Sequence, residues 1–364
     1  MKSLHRHVGQ LLLVGFEGQT IPTELRALAR EWDLGGVVLF GRNIDTPEQV
    51  AELTFELQEL ADDVPLWVGI DQEGGRVARL RAPFTEWPPM AALGCLDDAA
   101  LARRFAAALA DELTAVGVSL DFTPVLDLFS HSADPVIGDR ALSSDPDTVG
   151  RLGRIIIEEL RQGGVAACAK HFPGHGEVLV DPHRELPVVE HSPDRLQAKE
   201  MRPFRSAIAT EVAAVMTAHV LYPALDHEYP ATLSSVIVDE LLRHEFGHHG
   251  LIITDDLDMG AISGASRSVE QAAVRALVAG CDTVLVCGES MAQHASTLEA
   301  IIYAVEGDEL DGRRVEDAWA RTRRVKSQYL AGERPHRPLS GVALRDRLGT
   351  SAHQALAEEM SRGA

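Results

Sequence analysis

The 364-residue chain is short of cysteine, of basic charge and of long apolar runs, and each shortage closes off a class of protein. Its four cysteines, Cys95, Cys168, Cys281 and Cys287, are scattered, with no Cys-x-x-Cys pair and no cysteine-dense segment. That spacing excludes a disulfide framework. Cys168 and Cys287 lie within apolar runs, as buried free thiols of a reducing compartment do. Lysine and arginine number 34 against 55 aspartates and glutamates, for a formal net charge of -21. So acidic a chain cannot neutralise phosphates over a broad face, so neither nucleic acid nor a membrane surface is an expected partner. The apolar run Leu11–Phe16 is interrupted by Gly15 and followed by Glu17, too short for a signal-peptide core or a membrane span. A cytoplasmic protein is expected. Low-complexity segments and short-period repeats are missing as well. No Gly-x-Gly-x-x-Gly follows the first apolar run, which removes the best argument for a dinucleotide-binding fold.

Hydrophobic residues make up 45% of the chain and charged residues 24%, which suits a sizeable core. Eight short apolar, β-branched-rich runs read as strands: Leu12–Glu17, Gly35–Phe40, Leu66–Asp71, Ser119–Val125, Val165–His171, Ala214–Val220, Leu251–Asp255 and Asp282–Cys287. Between them lie helical patterns with recognisable ends, such as Pro47–Ala61 after the N-cap Thr46, Asp98–Val116 before Gly117, Asp147–Gln162 before Gly163, and Ser268–Ala279 before Gly280. Strands apolar on both faces, alternating with helices, predict a parallel sheet covered by helices. Eight such units predict a (β/α)₈ TIM-type barrel over residues 1–330. Residues 331–364 read as a short tail with one helix, His353–Met360.

Polar residues gather at the ends of these strands, the face where barrel enzymes place their sites. Asp71, Asp127, Lys170, His171, His219 and Asp255 all fall there. The densest segment is KHFPGHG, Lys170–Gly176, continuing to VDPHRELP, Val180–Pro187. Within it Asp181 and His183 stand two apart, close enough for a carboxylate to orient a histidine if the backbone turns. In IITDDLDMGA, Ile252–Ala261, a strand ends in Asp255 and Asp256, with Asp258 close behind. N-capping accounts for one aspartate, not three, and the placement suits a nucleophile or a metal ligand. In VGIDQEGGRVARLR, Asp71 ends a strand, Gly74 and Gly75 permit a tight bend, and Arg76, Arg79 and Arg81 follow. An aspartate and an arginine in one cleft suit a hydroxyl-rich ligand. Arg140 lies in a similar loop. His244-Glu245-Phe246-Gly247-His248 matches the zinc-peptidase pattern H-E-x-x-H, but Gly247 and Gly250 interrupt the helix on which both histidines must share a face.

Taken in order, GGVVLFGRN, GIDQEGGRVARL, DFTPVLD, DPVIGDRALSSDP, KHFPGHG, VDPHRELP, MTAHV and IITDDLDM resemble the NagZ-type β-N-acetylglucosaminidases of glycoside hydrolase family 3, over about Gln10–Tyr329. The resemblance implies a retaining hydrolase of terminal β-linked N-acetylglucosamine, with cell-wall peptidoglycan fragments as substrate. It implies Asp255 as nucleophile, His183 as acid/base with Asp181 as its partner, and sugar contacts from Asp71, Arg79, Arg140, Lys170, His171 and His219. It requires no cofactor and no metal, and its partner is a small N-acetylglucosamine-containing saccharide. It indicates no oligomeric state. Here Pro182 stands where the family usually has serine, which stiffens the Asp181–His183 loop. Many family members carry a second domain after the barrel that supplies a carboxylate acid/base. This chain ends in HQALAEEMSRGA, like the helix leading into that domain, so the domain is expected to be absent and the acid/base to lie in the barrel loops. Three alternatives accompany this reading. One is a family 3 β-glucosidase or xylosidase. Another is an N-acetylglucosaminide phosphorylase, since a neutral imidazole does not repel phosphate. The most remote is a zinc metallopeptidase through His244 and His248.

Overall fold

The computed structural model describes residues 2–129, 136–175, 186–265, 268–331 and 338–363. Eight parallel strands close on themselves in sequence order: β1 Leu12–Val14, β2 Gly36–Leu39, β3 Trp67–Ile70, β4 Leu120–Asp121, β5 Ala166–Phe172, β6 Ala214–Thr217, β7 Leu251–Asp256 and β8 Thr283–Val286. Closure is made by β1 on β8, with Leu12, Leu13 and Val14 opposite Val284, Leu285 and Val286. This is the expected (β/α)₈ barrel. Each of the eight apolar runs holds one strand. The fourth is cut to two residues because Pro124 has no amide hydrogen for the ladder, although Lys170 N–H still reaches the Pro124 carbonyl.

Two apolar cores explain why the strands are hydrophobic on both faces. One fills the barrel: Leu13, Val38, Trp67, Leu120, Phe122, Ala166, Cys168, Met216, Leu251, Ile253 and Leu285. The other lies between strands and helices and takes the alternate residues, among them Leu12, Val14, Val37, Val68, Ile252 and Val284. Burial of each such side chain stabilises the fold by roughly 1.5–3 kcal/mol. Gly69 leaves room for an interior ring, since a Cβ there would stand 3.2 Å from Phe122.

The expected helices are present, with starts within one residue of those read from the sequence. Thr46 accepts the Gln49 amide at the start of Pro47–Gln58, Asp98 caps Ala99–Ala115, Asp145 caps Pro146–Gln162 and Ser268 caps Val269–Ala279. The expected tail helix spans Ser351–Met360, with a shorter helix, Gly341–Arg345, ahead of it. No helix among the described residues is long and apolar enough to cross a membrane.

Charge closes the N-terminal end of the barrel. Asp282, fully buried before β8, accepts from the Ile252 amide and from Arg243, Arg314 and Arg321 at 2.5, 2.9 and 2.5 Å. Burial alone would raise its pKa, yet the three guanidiniums hold it below the usual aspartate value. Nearby, buried Lys326 donates to Gln10 Oε1 at 2.8 Å and to the Gly35 carbonyl at 2.7 Å. Desolvation pulls its pKa down to about 7, against the opposing charge of Asp33.

Candidate active site

At the other end, the strands continue their inward phase into polar side chains. Leu251 and Ile253 point into the barrel, so the next residue of that phase is Asp255. By the same alternation Trp67 and Gly69 lead to Asp71, and Ala166 and Cys168 lead to Lys170. The candidate site is therefore the uppermost layer of the barrel interior.

Lys170 Nζ bridges two carboxylates, Asp71 Oδ1 at 2.8 Å and Glu73 Oε1 at 2.5 Å. Glu73 also takes both arms of Arg140, at 2.8 and 2.9 Å, and Asp71 takes Arg79 at 3.1 Å. Glu73 and Lys170 are only 1% and 2% exposed, so neither charge survives without its partners. Burial pushes Asp71 and Glu73 up, but Lys170 and Arg79 on one, and Arg140 and Lys170 on the other, hold both below the carboxylate range. Gly74 and Gly75 make the turn behind Glu73 with φ of +106° and +57°, a region that side chains disfavour.

A second unit is built on Asp127. Its carboxylate accepts His171 Nδ1 at 2.6 Å, the His171 amide and the His175 amide at 2.6 Å. Against desolvation, the facing histidines bring its pKa down to about 2. His171 Nε2 lies 4.0 Å from Asp255 Oδ2. Asp255 Oδ1 accepts the Asp256 amide at 2.8 Å. Despite burial, Asp255 is held ionised by His219, His171, that amide and Lys170. No lysine or arginine among the described residues pairs with it. Asp256 has the opposite character. Its Oδ1 accepts the Cys287 and Asp258 amides, tying β7 to β8, and desolvation followed by the charges of Asp258 and Asp255 pushes its pKa up to about 7.

These residues enclose a cavity of about 220 Å³, lined by Asp71, Arg79, Arg140, Lys170, His171 and Asp255, together with Phe40, His175, Asp256 and Met259. Six of the sequence-derived site residues thus come together. His219 does not line it. Its Nδ1 meets Thr232 Oγ1 at 2.8 Å and its Nε2 the Asp256 carbonyl at 3.0 Å, so it acts on the backbone behind Asp255. Asp181 and His183 lie outside the described residues. A larger cavity, about 810 Å³, lies beside Lys326 and Tyr329, and none of the site residues is among its described lining.

Glu73 and Asp127 carry the counter-charge and were not singled out by motif. Glu73 sits within GIDQEGG and Asp127 ends DFTPVLD, but their partners are 67 and 44 residues away. The H-E-x-x-H segment separates its histidines. His244 is exposed at the end of a wide-turned π-helix, Val236–Glu245, whereas His248 is buried on the Leu251 carbonyl, with burial lowering its pKa to about 3. Among the described residues no group of three histidine, cysteine or acidic side chains could hold a metal ion.

Residues 3–325 match the model of the glycosyl hydrolase family 3 N terminal domain. The chain is 40% identical over 284 residues to a β-hexosaminidase of Nitrosomonas eutropha, covering 76% of this chain and 80% of that one. It superposes with a TM-score of 0.94 on a glycoside hydrolase family 3 β-N-acetylglucosaminidase from Paenibacillus sp. str. FPU-7, at 40% identity, across 99% of this chain and 68% of that one. On NagZ from Neisseria gonorrhoeae in complex with N-trifluoroacetyl-D-glucosamine the TM-score is 0.78, at 32% identity, across 97% and 98%.

Proposed function

Because the chain belongs to glycosyl hydrolase family 3 and is a hydrolase of the β-hexosaminidase type, we propose that it releases terminal β-linked N-acetylglucosamine with retention of configuration, from peptidoglycan-derived fragments. One observation carries the reading: Asp255 is an ionised carboxylate inside a cavity, and no lysine or arginine among the described residues pairs with it. Such a group is available to attack an anomeric carbon, forming a glycosyl–enzyme ester as the bond to the leaving oxygen breaks. His183 protonates that oxygen, then takes a proton from the water that cleaves the ester. Asp181 stabilises the imidazolium. Asp71, Arg79, Arg140 and Lys170 form a rigid polar floor for sugar hydroxyls, and the Nε–H of Arg79 has no protein partner among the described residues. His171, fixed by Asp127, steadies Asp255, and His219 supports it from behind.

A second reading makes Asp127–His171 the acid/base pair. Its 2.6 Å bond orients the ring as a proton shuttle requires. Its Nε2, however, is 4.0 Å from the attacking oxygen, on the nucleophile's side of the sugar. The leaving oxygen departs from the other face of the sugar, so this reading asks one ring to serve both sides. The test is a panel of aryl β-glycosides with a fluorosugar trap. An N-acetylglucosaminide turned over at least about tenfold better than the glucoside, and a label on Asp255, support the proposal. A preference for glucoside or xyloside, or a label on Asp256 or Asp258, overturns it.

A further inference from the structure

Building on that reading of the site, we propose that Glu112 and His353 form a latch that positions the substrate-facing loop 71–89 from behind. The C-terminal helix Ser351–Met360 then takes part in substrate binding without touching substrate. The loop joins β3 to the helix Met90–Leu96 and carries Asp71, Glu73 and Arg79. It has little regular structure, so its shape depends on side-chain ties. On the cavity side the tie is Gln72. Its amide N–H donates to Asp121 Oδ1 at 3.0 Å, and its Oε1 accepts the Arg79 and Leu80 amides at 2.8 and 2.9 Å.

Glu112 makes the tie on the far side. It is 3% exposed, in the helix Ala99–Ala115, and no lysine or arginine pairs with it among the described residues. Its carboxylate instead accepts four donors from three residues. Thr85 of the loop gives its amide at 3.0 Å and its hydroxyl at 2.6 Å, while the tail gives the Gly349 amide at 2.8 Å and His353 Nδ1 at 2.9 Å. A buried carboxylate stripped of the tail's two donors must draw in water or swing out, and either movement releases Thr85.

Loop and tail also meet directly. At Gly349, with φ +52°, a Cβ would lie 2.1 Å from the Pro83 carbonyl oxygen, so the tail chain runs flush against the loop. From Thr85 the path to the cavity is short. Trp87 packs edge-on to Phe105 and its ring lies 6.3 Å from that of His353. Its carbonyl accepts the Gly75 amide at 2.8 Å. Gly75 closes the turn that presents Glu73 to Arg140 and Lys170. Glu112 and His353 are thus positioning residues.

The test combines kinetics on an aryl β-N-acetylglucosaminide with hydrogen exchange across residues 72–84. His353→Ala should raise KM about three- to tenfold with kcat within about twofold, since displacement of binding groups loosens the substrate before it slows chemistry. His353→Gln, which can still donate to Glu112, should recover most of the loss. Exchange at Gly75 and at 79–84 should quicken in His353→Ala while the strands stay protected. Glu112→Gln replaces His353→Ala should the latter not fold, with the same expectation. A lower melting temperature with unchanged KM and unchanged exchange in 72–84 overturns the proposal. Should the parent protein fail to cleave any N-acetylglucosaminide, the substrate reading fails, and the exchange result still decides the latch.

Discussion

The two ends of the barrel are built from the same chemical material, buried carboxylates and cations, to different effect. At the N-terminal end one carboxylate, Asp282, is surrounded by Arg243, Arg314 and Arg321, and each lone pair facing them is in use. At the C-terminal end Asp71, Glu73, Asp127 and Asp255 face three permanent cations, Arg79, Arg140 and Lys170. Asp127 has His171, and Asp255 pairs with no lysine or arginine among the described residues. An excess of cation around one acid can only hold structure. An ionised acid left without a cation is costly to bury and chemically available.

The sharpest way to break this comparison is to remove one acid from each end. Asp255→Ala should lower kcat on the order of 10⁴-fold or more, with a melting temperature close to or above the parent's, since no lysine or arginine among the described residues is stranded and only the Asp256 amide loses its acceptor. Asp282→Ala should do the reverse. Three guanidiniums lose their anion, at a cost of about 3–5 kcal/mol in urea denaturation, while turnover per folded molecule stays within about twofold of the parent. Activity loss in Asp282→Ala at full stability, or unfolding of Asp255→Ala, would mean the ends are not so divided.

Smaller effects separate the two histidine–carboxylate pairs. His183→Ala should slow substrates with poor leaving groups by about 10²- to 10⁴-fold and spare activated aryl glycosides, because only the former need a proton. His171→Ala should slow both alike. An exchange of these patterns would make His171 the acid.

A stability measurement bears on Asp256. The folded protein holds its proton to near pH 7, whereas the unfolded chain releases it near pH ~4. Its contribution therefore favours the fold below pH ~4 and is lost as pH rises towards 7. Asp256→Asn lacks that loss, so its stability relative to the parent should climb by about 4 kcal/mol between pH 4 and pH 7. A flat difference across that range would place the proton elsewhere. The smallest effect of all is expected from a chelator and from His244→Ala, both leaving turnover unchanged. Loss of activity restored by zinc would contradict this.

The barrel was legible because its strands are apolar on both faces and its helices are marked by the N-cap Thr46 and by stops at Gly117, Gly163 and Gly280. The choice between Asp255 and Asp256 rested on the family resemblance alone, since Leu251, Ile252 and Ile253 are apolar whichever face is inside. Only the packed interior, with Leu251 and Ile253 in it and Ile252 outside, assigns the phase. His219 shows the same limit. The family resemblance implies a substrate contact from it, and among the described residues its ring meets the Asp256 carbonyl. Asp127 is marked only by its place at a strand end, and Glu73 by nothing, because counter-charges are recruited across the barrel and spacing along the chain does not register them.

The burial of the Asp71–Lys170–Glu73–Arg140 floor has a consequence for how the protein meets its medium. Dissolved ions weaken attraction between charges over about 8–10 Å at physiological ionic strength, but only where water carries them. Glu73 and Lys170 lie below that reach. The outer coat, with its formal charge of -21, does not. Raising the salt should therefore change how these molecules repel one another and leave the polar floor as it is. A neutral sugar adds no charge to either account, so its affinity should be the same in dilute buffer and in brine.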